Sequence, residues 1–166
     1  RTSVLSISTC SPPRSEAVGF ALGIVELIAT DTEPTALGHL GPDLLGPDWD
    51  LPEATRRILG RPDRPIWNAL LDQRNLAGLG NMYALELCFL AGVHPLSTVS
   101  DVAGPDGVRL ERMVTRAHHL LQFNKDQTSA VTTGDLRERL WVYRRDRRSC
   151  RRCGTPIEVR MLTADN

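Results

Sequence analysis

Residues 70–86 read LLDQRNLAGLGNMYALE, an apolar helical text broken by Gly78, Gly80 and Asn81. A glycine inside a helix costs about 1 kcal/mol relative to alanine, so the interruption needs a reason. The spacing predicts a helix ending near Leu71, a glycine-bearing turn, and a second helix over about Asn81 to Ala91 that Gly92 stops, with Pro95 close behind. Working outward, Asp50 and Glu53 match a capping box opening a helix over Leu51 to Leu59, and Pro65 suits the first turn of the helix that precedes the glycines. Downstream, Val108, Leu110, Met113, Val114, Ala117, Leu120 and Leu121 share one face of a longer helix over about Gly107 to Phe123. NKDQTSAVTTGD is a polar loop, and LWVYRR reads as a strand leading to a cysteine pair.

With 166 residues and 41% hydrophobic content the chain can bury a core in one domain, or in one domain plus an appendage. Its apolar runs are too short for a membrane span, and no signal peptide opens it, so a soluble intracellular protein is expected. The first 30 residues hold two β-like runs, TSVLSIS and GFALGIVELIA, around the turn-rich CSPPRSE. They are too few to make a stable sheet alone. Arg1 and MLTADN both read as cut ends.

Acidic and basic residues balance at 20 each, which argues against a generic polyanion binder. Their distribution is uneven: residues 31–72 are rich in Asp, Glu and Pro, whereas residues 137–152 hold eight arginines against Glu138 and Asp146. Lys125 is the only lysine, so nearly all positive charge sits on guanidinium groups, which suit bidentate phosphate contact.

Gly78 and Gly80 free the backbone and leave its N–H groups unshielded. Asn81 then stands at a helix start, where orphan N–H groups and the helix dipole favour an anion. This is a design for holding one phosphate. A tight turn in which Asn81 only caps its own helix would carry the same residues, and local physics slightly favours it.

Cys10 and Cys88 read as free thiols, Cys88 as a small core residue. Cys150 and Cys153, in CRRCG, have the spacing of a knuckle that presents two thiolates to one zinc, which wants four ligands. His118 and His119 lie on a helix and are poorly placed to complete such a set. A redox pair would need the cysteines at a helix start beside a β-α-β unit; here they follow a strand-like run and arginines.

The wider text LLDQRNLAGLGNMYALELCFLAGVHP resembles the helix-two-turn-helix segment of the formamidopyrimidine-DNA glycosylase and endonuclease VIII family of base-excision repair enzymes. Asp72-Gln73, Ala77 through Asn81, Tyr83, Glu86 and Gly92 through Pro95 fall in register. HLGPDLLGPDWD resembles the connector into that segment, and WVYRRDRRSCRRCGTPI the beginning of the family's zinc finger. The resemblance covers about residues 38 to 160, and LWVYRRD leans toward the endonuclease VIII branch.

It implies a mainly α fold: a helix-two-turn-helix bundle at 38–125, preceded at 1–37 by strands left from an N-terminal β domain. A linker at 126–139 and an incomplete β-hairpin zinc finger at 140–166 would follow. By the same resemblance Gly78, Gly80 and Asn81 would hold a phosphate of damaged double-stranded DNA beside the lesion, and Arg145 matches the basic position before the finger. Cys150 and Cys153 would supply two of the four ligands of one structural zinc. Tyr83 and Glu86 fit better as a buried aromatic and a helix-fixing carboxylate. Arg147 and Arg148 depart from a Gly-Glu-like turn in relatives.

The family's chemistry uses an N-terminal proline amine as nucleophile and an adjacent glutamate for proton transfer. Arg1-Thr2 opens this chain and Pro12 and Pro13 are internal, so no catalytic residue is expected here, and the finger arginine would lie past Asn166. The implied parent is a bifunctional glycosylase and abasic-site lyase, monomeric, cytoplasmic and nucleoid-associated in a bacterium. A non-catalytic nucleic-acid-binding module is the alternative; the connector and the CxxC disfavour it.

Overall fold

The computed structural model describes residues 4–8, 16–20 and 29–160. Contacts divide the chain into Arg1–Gly38 and His39–Asn166. In the first unit β1 (Val4–Ser8) pairs antiparallel with β2 (Glu16–Phe20), Val4 opposite Phe20 and Ser8 opposite Glu16. Residues 9–15, most of the turn text with Cys10, and residues 21–28, most of the second β-like run, lie outside the described residues. A 3₁₀ turn at Thr30–Thr32 leads into α1 (Glu33–Leu37), which the sequence reading does not anticipate.

The second unit is helical: α2 (Leu51–Leu59), α3 (Ile66–Leu71), α4 (Asn81–Ala91), α5 (Val99–Ala103) and α6 (Val108–Asn124). Leu44, Ile58, Ile66, Leu70, Leu76, Leu79, Leu87, Val99, Leu110 and Val114 form its closed core. Asp50 caps α2 by accepting the Glu53 N–H at 2.9 Å. Only half of the expected capping box forms, because the Glu53 carboxylate turns to Arg56 and Arg57 instead. Pro65 is the residue just before α3 rather than its first turn. The orphan donors of α3 find carbonyls on the loop after α4: Ile66 N–H bonds Ser97 O at 2.8 Å and Trp67 N–H bonds Pro95 O at 3.1 Å.

α4 is the central helix, packed between α3 and α6. It ends where the sequence says: Gly92 takes φ +64°, and the Val93 N–H returns to Cys88 O, a Schellman closure. Cys88 is fully buried, and burial pushes its thiol up to about 12. α5 is a second unanticipated element, five residues capped by the Thr98 hydroxyl.

The expected strand LWVYRR does not form; residues 141–144 are turns and bends. The N–H groups of Trp141, Val142 and Tyr143 are taken by a side chain of α4 and not by a neighbouring strand. Past them, the bridge Ser149 to Pro156 makes a short antiparallel loop, with Arg147 N–H to Ile157 O at 2.8 Å and Ile157 N–H to Arg148 O at 2.9 Å. Among the described residues no helix is long and apolar enough to cross a membrane.

Candidate nucleic-acid interface

The glycine turn is built on the connector that precedes α2. Gly41 N–H bonds Gln73 O at 2.8 Å, Ala77 N–H bonds Pro42 O at 2.9 Å, and Leu44 N–H bonds Ala77 O at 3.2 Å. This backbone-on-backbone approach explains Gly41: a Cβ there would lie 2.5 Å from the carbonyl carbon and oxygen of Asn75. The connector is in turn fixed to α6. Leu44 O faces His118 Nδ1 at 2.9 Å and accepts from Gln122 Nε2 at 3.3 Å, while Trp49 stacks on the His118 ring at 5.2 Å. His118 is thereby a packing residue.

Inside the turn, Gln73 uses both ends of its amide. Its Oε1 accepts the Gly78 N–H at 2.9 Å, and its Nε2 donates to Leu71 O and Leu79 O at 3.1 and 3.0 Å. Asp72 pairs with Arg64 at 2.7 Å and with Arg74 at 2.8 Å, and hydrogen bonding to these guanidinium groups holds its carboxyl far below the usual range. Leu76 and Leu79 anchor the loop in the core, whereas Gly78 and Gly80 are exposed. Gly78 sits at φ +92°, a conformation that L side chains rarely adopt. Gly80 is extended, and a Cβ on it would meet nothing within 4 Å.

Asn81 is the first residue of α4 and is exposed. It does not cap its own helix, so the simpler reading of its role fails. Its Oδ1 instead accepts the indole N–H of Trp67, 2.9 Å away on α3. The first α-helical bond to reach back is Ala84 N–H to Gly80 O. Among the described residues, the N–H groups of Asn81, Met82 and Tyr83 therefore have no acceptor, and no acidic side chain stands in that first turn. Three outward donors and a helix dipole make this end of α4 chemically suited to an anion.

The cysteine segment docks on the far part of the same helix. Glu86, fully buried, accepts the backbone N–H groups of Trp141, Val142 and Tyr143, each at 2.8 Å, and the Thr132 hydroxyl. Phe89 stacks on Trp141 at 5.5 Å, and the Arg152 guanidinium lies 4.4 Å over the Phe89 ring. Arg145 is half-buried and folded back on its own turn, with Nη1 on Trp141 O and Nη2 on Ser149 O at 2.9 Å.

Cys150 and Cys153 sit on a tight knuckle: Arg152 N–H points to Cys150 Sγ at 3.4 Å, Gly154 N–H returns to Cys150 O at 2.9 Å, and Gly154 takes φ +78°. Hydrogen bonding to Thr155 and then Cys150, with the Arg152 charge nearby, holds the Cys153 thiol below its ordinary value. Two sulfurs on a knuckle fit half a tetrahedral zinc site; among the described residues no group of three or more metal-binding side chains forms.

Trp67 carries no signal in the sequence, since nothing in the text links it to a residue 14 positions away. Glu86 is a fixing carboxylate, but what it fixes is the non-helical segment after α6 and not a helix, contrary to expectation.

A family model for the formamidopyrimidine-DNA glycosylase H2TH domain matches residues 40–130. The chain is 50% identical over 142 residues to a Mycobacterium bovis protein named endonuclease 8 2, which covers 84% of this chain and 54% of that protein. It is 44% identical over 147 residues to the DNA-(apurinic or apyrimidinic site) lyase Nei2 of Mycolicibacterium smegmatis, covering 87% of this chain and 56% of the relative. The chain thus spans about half the length of the curated relatives it matches. Lactococcus lactis Fpg, solved in complex with DNA containing an abasic site, aligns with TM-score 0.65 and 26% identity over 83% of this chain and 52% of that one. From the glycine turn, the connector beneath it and these likenesses together, the chain belongs to the formamidopyrimidine-DNA glycosylase and endonuclease VIII family and carries its H2TH domain.

Proposed function

We propose that this chain is the DNA-gripping part of a base-excision repair enzyme that removes oxidised bases and nicks abasic sites by β-elimination. The observation that carries the reading is the exposed amino end of α4. There the N–H groups of residues 81–83 have no acceptor among the described residues, Asn81 is exposed, and the two exposed glycines put no side chain in the way. In this reading a phosphate of damaged double-stranded DNA sits on that end. Arg145, whose terminal nitrogens serve carbonyls, braces the finger instead of touching DNA. Cys150 and Cys153 would hold one structural zinc with two ligands from outside the described residues, the metal supplying rigidity to the finger. The similarity to proteins named endonuclease 8 2 and abasic-site lyase supports the reaction class, and the abasic-site complex of the Lactococcus relative supports the partner. Gly78, Gly80 and Asn81 offer backbone N–H groups and a side-chain amide, so their part in this reading is binding.

The test is binding to a duplex carrying a stable abasic-site analogue and to an intact duplex over a salt series, with Asn81→Ala in parallel. The expected result is preference for the abasic duplex, a steep loss of affinity with salt, and loss of most affinity in Asn81→Ala. Equal binding of both duplexes by wild type and variant would sink the assignment.

A further inference from the structure

We propose that Trp67 is a positioning residue that sets the orientation of the Asn81 amide, holding its oxygen inward and its NH2 outward toward the anion site. The inference rests on the reading of Asn81 as a phosphate ligand and adds a residue to it.

An asparagine amide has an acceptor end and a donor end of nearly the same shape, and only the donor end is useful against a phosphate. Left to itself on an exposed helix terminus, the side chain samples several χ1 wells and both amide faces. An oxygen presented to an anion repels it. The indole of Trp67 removes this ambiguity because its nitrogen can donate but never accept. The amide atom 2.9 Å from it must therefore be Oδ1, which leaves Nδ2 with no acceptor among the described residues.

Trp67 is itself fastened in the interior: it is 6% exposed, in the core cluster, with its own backbone N–H bonded to Pro95 O at 3.1 Å. The turn between the two residues is braced by Gln73 and by the Gly41 approach, which hold the indole and the amide in register. A rigid donor thus orders an exposed ligand before the ligand is used, and that ordering need not be met at the moment of binding.

The proposal is tested by a double-variant cycle on the full chain, with Trp67→Phe, Asn81→Ala and both together, read as affinity for the abasic-analogue duplex. Trp67→Phe removes the donor and keeps an aromatic in the core. Affinity should fall about fivefold, roughly the loss expected when an ordered side chain regains its rotamers and amide flip. In the Asn81→Ala background the same change should do nothing further.

Full affinity in Trp67→Phe beside a weakened Asn81→Ala overturns the proposal while leaving the phosphate grip intact. Additive losses overturn it too, because Trp67 would then act through packing. No loss in either variant fails both the grip and its positioning. Should Trp67→Phe unfold, benzothienylalanine placed at position 67 keeps the indole shape without the N–H. It should give the same fivefold loss at an unchanged melting temperature; wild-type affinity in that protein overturns the proposal.

Discussion

Glu86 and Trp141 are joined across 55 residues of chain by a 2.8 Å hydrogen bond from the backbone N–H of one to the carboxylate of the other. The same carboxylate collects the N–H groups of Val142 and Tyr143 and the Thr132 hydroxyl. One buried side chain thus replaces the sheet partner that this segment lacks.

Removing it leaves several buried donors without acceptors. Glu86→Ala should destabilise the chain by about 3–5 kcal/mol. Glu86→Gln, which keeps one oxygen but turns an NH2 toward an N–H group, should cost less. Urea denaturation gives the ranking. Amide exchange at 141–143 should quicken more than exchange at the α3 and α6 core, and equal quickening throughout would contradict the local role.

Gly41 and Gly80 are glycines for different reasons. Gly41→Ala drives a methyl into the Asn75 carbonyl at 2.5 Å, so the connector must move, at a cost of about 1–3 kcal/mol or more. Gly80→Ala meets open space and should shift stability by no more than about 1 kcal/mol, as at other helix caps. Its cost should appear in DNA affinity, where the new methyl narrows the approach to α4. Thermal melting and duplex titration of both variants separate the two; unchanged affinity in Gly80→Ala would show that nothing comes close to that backbone.

Acid should weaken the fold through two carboxylates. Asp72 and Glu53 are held below their unfolded values of about 4, Asp72 by Arg74 and Arg64 and Glu53, at about 2, by Arg56 and Arg57. A depressed folded pKa means stability that is present above pH 4 and lost as pH falls through the folded value. Stability should therefore decline from pH 4 to pH 2. Asp72 and Arg64 are both nearly buried, so Asp72→Asn should cost about 3 kcal/mol at pH 7 and flatten part of the acid limb. Denaturant midpoints over pH 2–7 check both; a variant as acid-sensitive as wild type would exclude Asp72 as a source.

Arg147 occupies φ +59° with a side chain 93% exposed, its nearest charge partner Asp146 at 3.7 Å. The left-handed region costs an L residue about 1–2 kcal/mol, and glycine gives back part of that in chain entropy. Arg147→Gly should raise stability by about 0.5 kcal/mol. Arg148 has no positive φ, and Arg148→Gly should lower it. Paired melting curves decide; the opposite order would mean that the Arg147 side chain makes contacts worth more than its backbone strain.

What the sequence reveals follows from how local each determinant is. α4 is legible to the residue because its start and stop are set by Gly80, Asn81 and Gly92, all within its own text. α6 is off by one residue at each end, its apolar stripe giving the face but not the limits. α1 and α5 are too short to show a period. LWVYRR misleads because its β-favouring side chains are real while its backbone partner, Glu86, is a side chain from a distant helix. The glycine turn announces a backbone opening. The indole that orients its asparagine belongs to tertiary structure alone.

The carbonyl of Leu44 is met by His118 and Gln122, residues one turn apart on α6. Inserting or deleting a single residue in α6 ahead of His118 would swing both side chains about 100° around the helix axis, and the connector would lose both fastenings at once. A change of length in the loops flanking α6 leaves both fastenings in place, whereas one inside the helix ahead of His118 breaks them together.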